Sequence, residues 1–120
     1  MASPLFTIHT EIPLVDRFAM FLPQQGSFEM QHDQPAKVHS WHMHSVTETL
    51  FVLAGDVELF WCEGGVVKRR KCESGTRIEL PAQTLHGSIA GAEGCTYFIA
   101  PEGGATAVTT FLSAEEWPDE

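Results

Sequence analysis

His42-Met43-His44-Ser45-Val46-Thr47-Glu48 is the stretch on which the reading of this chain turns, together with Gly55 after it and a solitary His86 downstream. A β-strand sends alternate side chains to opposite faces, so His42 and His44 share one. Glu48 has the same parity and joins them if the chain bends near Ser45. His86 has to arrive from a distant strand, which is how a closed barrel completes a site. Three imidazoles and one carboxylate are a complete protein ligand set for a transition metal.

Working outward, the spacing His42-x-His44-x3-Glu48-x6-Gly55 resembles the first conserved motif of the cupin family, and Gly75-x5-Pro81-x4-His86 resembles the second. The resemblance implies an all-β fold, a cupin-type jelly-roll β-barrel. It also implies one divalent transition metal ion (Fe, Mn, Ni or Zn) held inside the barrel by His42, His44, Glu48 and His86. The motif core runs over about residues 36–90, within a single expected domain of residues 1–120. Three positions depart from the family pattern: Ala36 and Gln83 stand where glycines are usual, and Ala90 where asparagine is frequent. The four ligand positions are intact.

The rest of the sequence agrees with a small β protein. A helical period is nearly absent, and short β-rich runs recur between Gly, Pro and Asp breaks. These predict strands at 6–11, 27–32, 37–44, 47–53, 57–63, 66–72, 76–80, 85–90, 96–100 and 107–112. Gly55-Asp56 and Gly64-Gly65 read as hairpin turns. Ser113-Ala114-Glu115-Glu116 is a capping-box pattern, predicting one C-terminal helical turn. In the run 47–53, Leu50 and Val52 share the parity of Glu48 and should face the interior. Phe51 and Leu53 lie opposite and are equally apolar, so this strand needs cover on both sides. Either an outer sheet of the same chain or a second subunit would supply it, and with the dimeric habit of cupins the expectation is a homodimer.

Charge and cysteine content exclude several functions. Seven basic residues against sixteen acidic ones give a net charge of −9. Phosphate affinity comes from clustered Lys and Arg, so neither a nucleic-acid nor a membrane partner is expected. Lys68-Arg69-Arg70-Lys71 holds four of the seven basic residues. It reads as a solvated strand offsetting acidic neighbours, with an anion-attracting rim or a subunit contact as the alternative. The spacing of Cys62, Cys72 and Cys95 fits no disulfide framework. No run is long enough to span a membrane, and the first residues lack a basic segment followed by an apolar run. The expected setting is therefore cytoplasmic, with reduced thiols.

A structural zinc site closes its shell with Cys and His, and no cysteine occupies a ligand position here. Exchangeable positions are thus expected on the ion, open to a small-molecule substrate or ligand. The reading the resemblance favours is a dioxygenase-type oxidoreductase. The alternatives are a non-redox, metal-dependent isomerase or lyase and a non-catalytic binding module. No general base is evident in the sequence. His9, His32 and His39 read as structural residues. Arg77 and Glu79 should point outward as an ion pair. Phe60, Trp61, Tyr97 and Phe98 are candidates to line a cavity, with Tyr97 a possible proton donor.

Overall fold

The computed structural model describes residues 3–9 and 14–119. Among them are eight strands: β1 (Leu5–Ile8), β2 (Glu29–Asp33), β3 (Val38–His44), β4 (Glu48–Glu63), β5 (Val66–Glu73), β6 (Thr76–Leu80), β7 (His86–Pro101) and β8 (Thr109–Phe111). One helix, α1 (Leu14–Phe21), lies between β1 and β2. Residues 10 and 11 of the first predicted strand lie outside the described residues.

Two long strands organise the fold. The sequence reading broke both of them, at 53/57 and at 90/96. The structure instead runs β4 and β7 unbroken through those points, side by side and antiparallel. Gly55-Asp56 is therefore not a hairpin turn. The pairing of β4 with β7 shifts register between Val52 and Ala54 and again between Gly55 and Val57, which marks bulges. Bulges bend and twist a strand, so the two strands fold over together. Gly55 (φ +74) and Gly94 (φ +80) sit in the bend, and a Cβ on Gly55 would lie 2.1 Å from the Gly94 carbonyl oxygen. The turn predicted at Gly64-Gly65 is present, with both residues at positive φ as a two-residue hairpin demands.

The bend makes one sheet into two facing layers. In one, Glu48–Phe51 of β4 lies between β6 and the second half of β7, flanked by β1 and β2. In the other, Val57–Trp61 lies between β5 and the first half of β7, flanked by β3 and β8. This is a jelly-roll barrel. Leu50, Val52, Val57, Leu59, Ile78, Leu80, Tyr97 and Ile99 point between the layers. Leu50 and Val52 face inward as their parity requires.

The cover for the opposite face comes from α1, which the periodicity reading missed. Its Phe21 ring lies 5.5 Å from Phe51 and 5.0 Å from Phe98, and Phe18 lies 5.4 Å from Phe98. Phe51 and Phe98 are fully buried. Each such burial stabilises by about 2–3 kcal/mol. Phe98 therefore packs outside the barrel rather than in the cavity. Phe60 packs against Trp41 at 4.7 Å, and Trp61 against Phe6. Of the four aromatic candidates, only Tyr97 lines the cavity.

Charges follow the simpler readings. Lys68 pairs with Glu63 at 2.8 Å, Arg69 with Glu58 at 3.0 Å and Lys71 with Asp56 at 3.3 Å. Arg77 and Glu79 lie outside the barrel, 3.8 Å apart, and Arg77 stacks over Phe21. Cys72 and Cys95 are buried free thiols, which burial pushes up to about 11 and about 12. The capping box of Ser113 and Glu116 forms and starts a short 3-10 turn over Ala114–Glu116. No helix of the described residues is long and apolar enough to cross a membrane.

Candidate metal centre

One strand end and two strand starts bring the site together. His42 and His44 leave the end of β3 on one face, and His86 opens β7 in direct register with His42. The ring centroids of His42 and His86 are 4.3 Å apart, and those of His44 and His86 are 5.1 Å apart. Each of the three offers a ring nitrogen within 4.8 Å of the other two. Glu48, the first residue of β4, is buried beside them, and its Oε1 is 3.2 Å from His44 Nε2. The structure thus places all four predicted residues at one end of the barrel. The three imidazoles form the tight cluster, and Glu48 joins through His44.

The turns that hold these residues keep the geometry of the departed glycines. Among the described residues, Ala36 and Gln83 are the two non-glycine positions with positive φ, both at 63°. Gln83 N–H donates to the His44 carbonyl at 2.9 Å, and Ala82 N–H donates to Thr47 Oγ1 at 3.1 Å. The loop after β6 is thereby tied to the stretch between β3 and β4.

The imidazoles are already oriented. His42 Nδ1 lies 2.6 Å from the Ser40 carbonyl and His86 Nδ1 lies 2.8 Å from the Thr84 carbonyl. A carbonyl only accepts, so both nitrogens carry the proton and both rings present an Nε2 lone pair. His44 Nδ1 contacts Thr109 Oγ1 at 3.0 Å. A metal-binding histidine characteristically holds its other nitrogen in this way.

Electrostatics also favours a cation. Burial lowers His42, His44 and His86, the second to about 4 and the third to about 3, so they are neutral imidazoles at neutral pH. Burial, helped by Glu29, raises Glu48 to about 7. A carboxyl in that position keeps a proton that a divalent ion would displace. Three neutral nitrogens and one displaceable proton fit a divalent transition metal.

The cluster lines a cavity of about 250 Å³ that runs into the barrel. Its inner wall is apolar, with Leu50, Val52, Leu59, Ile78 and Ile99. Its side wall is polar and was not foreseen. Asp33, at the end of β2, is buried and receives bonds from Tyr97 Oη at 3.0 Å, Gln31 Nε2 at 3.0 Å and His39 Nε2 at 2.9 Å. Burial raises this carboxyl, but the bonds from Gln31, His39 and Tyr97 outweigh it and hold Asp33 below its usual value. His39, expected to be a structural residue, instead lines the cavity, although three residues from His42 it has the opposite strand parity. Between them β3 has one residue more than β7, a bulge that turns His39 to the cavity side. Nothing in the local sequence marks that bulge.

No family model matches the chain, and no curated protein matches it. Solved structures do. Over 92% of its length it is similar to the coconut allergen cocosin, with a TM-score of 0.65 at 13% identity. To pumpkin seed globulin it is similar over 93%, with a TM-score of 0.67 at 11% identity. To oxalate decarboxylase from Bacillus subtilis it is similar over 92%, with a TM-score of 0.64 at 13% identity. It spans 28% of the length of each of those chains. A seed globulin and an enzyme on one architecture show that the fold does not choose the activity. What the likeness establishes is architecture: this chain has the cupin fold, an all-β jelly-roll barrel.

Proposed function

We propose that the chain is a metal-dependent enzyme acting on a small chelating organic molecule, with a dioxygenase-type oxidoreductase as the leading reading. His42, His44, Glu48 and His86 would hold one divalent ion. Bound there, the ion supplies Lewis acidity and, if it is iron or manganese, access to dioxygen chemistry. The carrying observation is the set of three neutral imidazoles, two buried and His44 half-buried, with their Nδ1 atoms engaged and their ring nitrogens within 4.8 Å of one another. The apolar inner wall excludes water, and the polar side wall orients a ligand. A second reading, non-redox isomerase or lyase chemistry, is favoured by one observation: the Asp33–His39 pair, a proton-transfer group on the cavity wall.

The test starts with the metal content of freshly purified chain by elemental analysis. Near one equivalent of iron or manganese, with dioxygen uptake on addition of a dicarbonyl or catechol, supports the leading reading. Turnover with zinc alone supports the second. A folded His86→Ala protein with unchanged metal content would remove His86 from the ligand set. Failure of the wild type to take up any of these ions would overturn both readings.

A further inference from the structure

We infer that Asp33 and His39 form a proton-accepting pair for the ligand in this cavity, with His39 Nδ1 as the atom that takes the proton. The inference rests on the small-molecule reading above.

His39 Nε2 faces both carboxylate oxygens of Asp33, at 2.9 and 3.0 Å, with the Gln31 side-chain amide nitrogen, itself bonded to Asp33, also 3.0 Å away. A carboxylate offers only acceptors, so that nitrogen carries the proton. In neutral His39 the lone pair is then on Nδ1, and among the described residues Nδ1 has no hydrogen-bond partner. The ring is 26% exposed and lines the cavity, whereas Asp33 is 4% exposed. One partner is thus reachable by a ligand, and the other is locked behind it. Tyr97 and Gln31 fix the carboxylate, which fixes the ring. A buried carboxylate behind an accessible imidazole sets the tautomer and balances the imidazolium formed on proton transfer. The pair also shares its cavity with His42, His44, His86 and Glu48. A ligand seated at the histidine cluster therefore has a base beside it.

The ligand class follows. It is a small weak acid with two oxygens placed to chelate, such as an enol, a phenol or a β-dicarbonyl compound. For a β-dicarbonyl, the central C–H bond breaks and its electron pair stays on the ligand as the enolate. The proton forms an N–H bond at His39 Nδ1, and the Asp33 carboxylate balances the new charge. No oxidant or reductant is consumed. Apolar walls disfavour water as a competing acceptor.

Two measurements test this. In the metal-free chain, nitrogen-15 correlation spectra of the histidine rings, followed upward in pH until the His39 ring is neutral, should show it protonated on Nε2 and bare on Nδ1. A proton on Nδ1 would overturn the inference without reference to any metal. In zinc-loaded chain, 2,4-pentanedione in D2O should exchange its central hydrogen faster than in buffer, read by proton spectra. His39→Gln should lower that exchange at least about 100-fold, with zinc content and probe affinity within threefold of wild type. Asp33→Asn should also slow it. If Asp33→Asn does not fold, His39→Gln, on a partly exposed side chain, decides alone. Zinc-loaded, probe-bound chain whose exchange ignores His39→Gln overturns the pair but leaves the metal reading standing. Chain that binds neither zinc nor probe overturns the metal reading and, with it, the role of the pair.

Discussion

At the scale of single residues, the site depends on where protons sit. Thr109 Oγ1 holds His44 Nδ1 from the neighbouring strand β8. Thr109→Val keeps the shape and removes that partner. It should weaken metal affinity about 10-fold, measured by competition with a chromophoric chelator. Glu48 gives a pH signature. Its carboxyl is raised from 4.5 to about 7 in the fold, so the protonated form is the one the fold stabilises. For metal-free chain, that contribution is complete below about pH 4.5 and is lost as pH rises through 7. His44 and His86 are lowered from 6.5 to about 4 and about 3 and run the other way. Their contribution is present above pH 6.5 and is lost as pH falls toward those values. Glu48→Gln should therefore raise the Tm of metal-free chain at pH 8 relative to wild type. The same change should flatten the rise of metal affinity between pH 5.5 and 7, because no carboxyl proton is then displaced. A Glu48→Gln protein with the wild-type affinity slope would place the displaced proton elsewhere.

At the scale of elements, bends and turns decide the outcome more than strand propensity does. The ladder positions of β4 and β7 were legible as β-rich runs. Their continuity was not, because a glycine at positive φ serves a bulge as well as a hairpin, and only pairing with the neighbouring strand distinguishes the two. Ala36 and Gln83 adopt a left-handed backbone that costs an L-residue about 1–2 kcal/mol. Gln83→Gly should relieve that strain at the price of some unfolded-state entropy. The net gain should be about 0.5–1 kcal/mol, read as an increase in the urea midpoint without a change in slope. A loss of stability would mean that the Gln83 side chain contributes more than its backbone strain removes.

At the scale of the whole molecule, the chain covers its own outer face. Phe18 and Phe21 of α1 sit over Phe51 and Phe98, which supplies the second cover that the two-sided apolar strand required. Phe21→Ala should cost about 2 kcal/mol, less than the ~3–5 kcal/mol of a fully buried phenylalanine because Phe21 is half-buried. Urea denaturation measures it. A homodimer accordingly has to be argued from other surfaces, and Val108 just before β8 and Phe111 at its end are 65% and 61% exposed. We propose that they take part in self-association. Light scattering at micromolar concentration should give twice the chain mass, and Phe111→Ser should return it to one; a wild-type monomer would remove the dimer.

The sequence by itself determined the barrel class and singled out the four residues proposed to hold a metal. His42, His44, Glu48 and His86 were legible because strand parity is strictly local and because chemistry restricts which residues can hold a metal. The outward Arg77–Glu79 pair, the Gly64-Gly65 turn and the Ser113 cap were legible for the same local reason. Tertiary structure alone decided what depends on partners far along the chain. The bend of β4 with β7, the helix over Phe51 and the turning of His39 toward Asp33 each arise from an interaction between segments distant in sequence. A bulge shifts parity by one residue, and a sequence read strand by strand carries no record of the neighbour against which that shift is defined.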